Sequence, residues 1–109
     1  MNQKYRIFAD KYVSFMILTT TQNIESRTIT EYLGIVYGEA YENKEFRGER
    51  SYVSILTNAR TQAFKQMEER ARNMGADAVV GVRIDFDVSD IGPCIMVNAS
   101  GTAVKLNQI

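Results

Sequence analysis

The chain contains no histidine and no tryptophan, and only one cysteine and one proline. Without histidine, a His–Cys zinc site, a Ser–His triad and a Cys–His dyad are all excluded within one chain. Acid–base chemistry would fall to carboxylates, lysine, tyrosine or Cys94. A lone cysteine forms no disulfide within the chain, which fits the cytoplasm as the expected compartment. Neither charge is in excess, with 13 basic and 13 acidic residues, so the broad electrostatic argument for a nucleic-acid partner is absent. No apolar run approaches the ~18–20 residues of a membrane-spanning helix, so no membrane partner is expected. The opening "MNQKYRIFADKYVSF" carries Lys4, Arg6, Asp10 and Lys11 and lacks the apolar core of a secretory signal.

What is present suits one folded domain with a modest core, for which self-association is a natural supplement. Residues 1–15 show no clean period and read as an extension, with Met16 available as an initiator of the folded unit, residues 16–109. "MILTTT" is a short β-rich run, followed by a polar turn over residues 22–27. Residues 28–41, "TITEYLGIVYGEAY", read as a long strand that is apolar on both faces. Ile29, Leu33, Ile35 and Tyr37 lie on one side, and Tyr32, Val36 and Ala40 on the other. In a two-layer protein the second apolar face needs cover, from another subunit, a neighbouring loop or the N-terminal extension.

After the charged connection "ENKEFRGER", Tyr52, Leu56, Ala59, Ala63, Met67, Ala71 and Met74 recur at helical spacing. Val53, Ile55 and Phe64 widen that face, Glu68 and Arg72 form an i,i+4 pair, and Gly75 fits a left-handed C-terminal cap. Two strands follow, residues 78–88 and 94–106. A four-residue loop, 89–92, would pair Val88 with Pro93, Phe86 with Ile95, Ile84 with Val97, Val82 with Ala99 and Val80 with Gly101. The helix packs on that apolar face, where Ala99, Gly101 and Ala103 leave room for it. The opposite face sets Asp87 beside Cys94, Asp85 beside Met96, Arg83 beside Asn98, and Val79 beside Thr102. Its small, hydroxyl-rich lower part, Gly81, Ser100 and Thr102, suits a protein contact or a cavity lining.

Three ordered blocks, "LTTT…IESRTITEYLGIVYGEA", "NMGADAVVGVRID" and "MVNASGTAV", closely resemble the YbjQ family, which is labelled heavy-metal-binding. The resemblance covers residues 16 to about 105. It implies an α+β subunit like those of dodecin, one long helix across a two-layer antiparallel sheet, assembled into a ring, a pentamer. Two departures stand out: the connection after "GEA" is short, and Ser26 stands where relatives often have glycine.

Several sites compete. Cys94 and Met96, facing Asp85 and Asp87, offer a soft-metal cluster, against a small buried thiol and a packing methionine. Glu39, Asp77, Asp85 and Asp87 would suit a hard cation, but "DFDVSD" fails as a calcium loop because Gly92 is misplaced and no closing glutamate follows. Asp77 reads instead as a cap between helix and strand. The glycines of "GAD" and "SGTAV" lack the strand–loop–helix order of a phosphate cradle. Glu39, in an apolar strand, is the best acid–base candidate, against a salt bridge to Arg83 or to a neighbouring subunit. The expected function is an oligomeric binding protein, for a metal ion or small ligand held between subunits by Glu39, Arg83, Asp85, Asp87, Ser100 and Thr102, with Cys94, Asp85 and Asp87 as metal ligands. The alternatives are an enzyme with a carboxylate site at the subunit boundary and a structural scaffold ring.

Overall fold

The computed structural model describes residues 16–43, 52–88 and 94–108. The expected loop at 89–92, and Pro93, lie outside them. Four strands, β1 (Ile17–Leu18), β2 (Ile29–Asn43), β3 (Ala78–Val88) and β4 (Cys94–Leu106), form one sheet in the order β1-β3-β4-β2. The helix α1 (Tyr52–Asn73) lies chiefly over β2 and β4, with β3 at its margin. The class is α+β, and the sheet is mixed where an antiparallel one was expected. β3 and β2 both run antiparallel to β4, but β1 runs parallel to β3, pairing Ile17 with Ala78 and Leu18 with Val79.

The helix buries a straight stripe at every fourth residue: Ile55, Ala59, Ala63, Met67 and Ala71 are fully buried. Leu56 and Phe64 flank it, whereas Val53 and Met74, expected on the same face, are exposed. Burial of the larger side chains stabilises the fold by ~1.5–3 kcal/mol each. The alanines serve another purpose, since they let the backbones approach. A Cβ built on Gly38 of β2 would lie 1.9 Å from the Ala63 carbonyl oxygen. The helix ends as the sequence suggests. Gly75 has φ +86°, its N–H donates to the Arg72 carbonyl, and the Ala76 N–H donates to the Ala71 carbonyl, a Schellman pair. Lys105 Nζ donates to the Gly75 carbonyl at 2.8 Å, placing a cation at the negative helix end.

Two corrections concern the β3–β4 hairpin. First, Val88 pairs with Ile95, Phe86 with Val97 and Ile84 with Ala99, two residues along from the expected register. A slip of two leaves every side chain on its own face, so the apolar pattern alone does not exclude it. Second, a bulge interrupts the ladder between Val80 and Arg83, where Gly81 has φ +61°. It turns β3 over. Val79 and Val82 both join the helix-side core, while Val80 joins Ala78, Val104 and Leu106 in a second cluster on the opposite face. Ile17, Ile24 and Ile29 cover that cluster. The room at Gly101 is therefore filled by Val79 and Val82, and the close approach of the helix occurs at Gly38. Segment 19–21 receives the bulge: Gly81 N–H donates to the Thr21 carbonyl and Val82 N–H to the Thr19 carbonyl.

Ser26 sits at φ 69° in a turn closed by the Arg27 N–H on the Ile24 carbonyl at 3.1 Å. A left-handed third position is what a type II turn requires, and glycine meets it without a Cβ clash. Ser26→Gly is therefore expected to raise stability by about 0.5–1 kcal/mol, read as a higher urea midpoint at unchanged slope.

Candidate functional site

The sheet face turned away from the helix carries the candidate residues. Above the Val80–Leu106 cluster it is uncovered among the described residues, and three rows cross it from β2 through β4 to β3. Tyr37, Ser100 and Arg83 form one row, Glu39, Asn98 and Asp85 the next, and Tyr41, Met96 and Asp87 the third. Ile35 and Thr102 pair below them. The β2 side of this face is apolar and open: Ile35 is 66% and Tyr41 63% exposed, with Tyr37 and Met96 also exposed. The β3 side is charged. Arg83, Asp85 and Asp87 are exposed and make no hydrogen bond or ion pair with another described residue. Ser100 and Thr102 lie half-buried between the two sides.

This arrangement corrects the expected partners. Arg83 faces Ser100 instead of Asn98, Asp85 faces Asn98 instead of Met96, and Asp87 faces Met96 instead of Cys94. Cys94 is opposite Asn43 of β2, a half-buried free thiol. Its place beside Asp87 depended on the four-residue loop, and the two-residue shift removes it. Asp77 is at the other end of β3, where its carboxylate accepts the Leu106 N–H at 2.8 Å and prolongs the sheet ladder. Among the described residues no group of three or more cysteine or carboxylate side chains could hold a metal ion.

Glu39 is paired, but not with Arg83. Arg70 of the helix donates from Nη1 to Glu39 Oε1 at 3.0 Å and to the Tyr37 carbonyl at 3.1 Å. Gln66 Oε1 accepts the Glu39 N–H at 2.7 Å. One turn further back, Asn58 and Gln62 donate to Glu42 Oε2 at 2.5 and 3.2 Å. Asn58, Gln62, Gln66 and Arg70 thus form a polar stripe at four-residue intervals, fastened along the outer edge of β2. Two of its members, Gln66 and Arg70, take edge groups that would otherwise accept a foreign strand. The spacing was present in the sequence; what it lacked was the identity of the edge strand beside it. With its side chain 52% exposed and ion-paired, Glu39 has the surroundings of a structural surface carboxylate.

No described helix is long and apolar enough to cross a membrane.

Comparison with known proteins places the chain. The family model YbjQ_1, described as "Putative heavy-metal-binding", matches residues 16–49 and 46–107. Among relatives, a UPF0145 protein of Listeria ivanovii is 46% identical, over 84% of this chain and 96% of its own. A UPF0145 protein of Clostridium botulinum is 48% identical, over 82% and 97%. A crystal structure from Pediococcus pentosaceus, of a DUF74-family protein of unknown function, superposes with a TM-score of 0.67, covering 84% of this chain and 98% of that one. At 18% identity that likeness speaks for the fold alone. On the matched segments and these relatives, the chain belongs to the YbjQ family of UPF0145 proteins.

Proposed function

We propose that the protein is a homo-oligomeric binding protein, a cytoplasmic ring of dodecin-like subunits, a pentamer, that holds a metal ion or small ligand between subunits. The observation that carries this reading is the outer sheet face, with exposed Ile35, Tyr37, Tyr41 and Met96 beside Arg83, Asp85 and Asp87, which are unpaired among the described residues. An apolar patch rimmed by polar groups is characteristic of a protein contact. A single chain gathers too few ligands for a metal among its described residues, so the ion would take carboxylates or Cys94 from several copies. Arg83, Asp85, Asp87, Ser100 and Thr102 line the contact, and Glu39 supports its β2 border.

Native mass spectrometry, with metal analysis and titration of the purified protein, tests both parts. A multimer is expected at micromolar concentration, and a monomer would remove the contact. Asp85→Asn with Asp87→Asn is expected to lower divalent-cation affinity at least about ten-fold, and unchanged affinity would dismiss these ligands. Cys94→Ser is expected to weaken soft-metal uptake selectively.

A further inference from the structure

The sheet has two edges, and they are treated differently. On that of β2, Gln66 and Arg70 take the Glu39 N–H and the Tyr37 carbonyl near its middle. On β3, the Val82 N–H points outward to Thr19, so the N–H groups of Ile84 and Phe86, at alternate positions, point the same way. Among the described residues nothing pairs with that edge beyond Val82. Beside it lie two carboxylates, Asp85 and Asp87, on the outer face, unpaired among the described residues. On the helix side Ile84 is partly buried, and Phe86, at the helix margin, is 46% exposed.

We propose that residues 4–7 of this chain, Lys4-Tyr5-Arg6-Ile7, add to this edge as an antiparallel strand, with Arg6 opposite Asp85 and Lys4 opposite Asp87. The same register sets Tyr5 against Phe86 and Ile7 against Ile84. Both faces are thus matched at once, opposite charges outside and apolar pairs inside, the cross-strand pairings that stabilise a sheet. The direction of travel also fits. An antiparallel segment leaves Ile84 toward the Asp77 end of β3, where Met16 leads into β1. The distance along β3 is about 23 Å at ~3.3 Å per residue, and the nine residues from Ile7 to Met16 reach about 30 Å.

A second copy fits the edge less well. Paired about a two-fold at Phe86, it sets Asp85 against Asp87. At Asp85 it sets that carboxylate against its own copy, and at Ile84 it needs the Val82 N–H that Thr19 already takes. Pairing with the β2 edge of another molecule is obstructed by Gln66 and Arg70.

Amide hydrogen exchange on the full 109-residue chain tests this, with Val97, inside the sheet, as reference. The Ile84 and Phe86 amides are expected to exchange about ten-fold or more slowly in the wild type than in Lys4→Glu/Arg6→Glu. Adding Asp85→Lys and Asp87→Lys to that variant is expected to restore protection. Equal rates in the wild type and the charge-reversed chain would overturn the proposal. So would protection that disappears on about ten-fold dilution, because it would belong to another copy.

Discussion

Gly38→Ala is expected to destabilise the protein by about 3 kcal/mol or more, the upper end of what overpacking costs. The added methyl would stand 1.9 Å from the Ala63 carbonyl oxygen and 2.7 Å from the Met67 nitrogen. Both neighbours are backbone atoms in the middle of the helix, so no side chain can rotate away. The helix itself would have to lift by more than 1 Å, as a carbon and a carbonyl oxygen in contact stand roughly 3.3 Å apart or more. Lifting would loosen Ile55, Ala59, Met67 and Ala71 from the sheet and pull on the polar stripe along β2. Urea unfolding measures the loss. A midpoint within experimental error of the wild type would mean that the helix does not lie this close to β2.

Gly101→Ala carries the second large effect, about 2 kcal/mol, and its origin differs. Its Cβ would meet Val79 Cγ1 at 2.5 Å, the Val80 carbonyl oxygen at 3.1 Å and Val82 Cγ2 at 3.3 Å. Gly101 faces both valines because the Gly81 bulge turns them to one side of the sheet. The tightest neighbour is a side chain, so this penalty can be relieved. In a Val79→Ala background, Gly101→Ala is expected to cost less than about 1 kcal/mol, a coupling that a double-mutant cycle resolves. Additive losses would place the bulge elsewhere.

These two glycines show where sequence reasoning reached and where it stopped. The helix and the two hairpin strands were legible because their periods are long and their punctuation is strong: Gly75 ends the helix, and residues 89–93 separate the strands. The parity of β3 was not. "AVVGVRIDFD" alternates only if Gly81 is counted as an ordinary strand residue; as a bulge it moves Val79 to the core and Val80 away from it. The hairpin register escapes the sequence for a related reason. Apolar alternation has a period of two, so the loop length had to choose between equivalent pairings, and a turn guess carries less information than a face. That shift separated Cys94 from Asp87 and dissolved the expected soft-metal cluster within one chain. The outer face itself was visible from the doubly apolar β2. The capping of its edge by Gln66 and Arg70 was not, because it joins residues from two elements whose docking no local pattern records.

The stripe Asn58–Gln62–Gln66–Arg70 also has a dynamic consequence. Gln66 and Arg70 hold the Glu39 N–H and the Tyr37 carbonyl of the β2 edge, so undocking of the helix frees both groups. At these two groups helix undocking and edge exposure are coupled, which ties this part of β2 to the helix in one opening unit. Solubility then becomes a kinetic property of the helix. Whatever shortens the lifetime of its docked state lengthens the time for which the Tyr37–Glu39 part of this 15-residue strand stands open to a foreign strand.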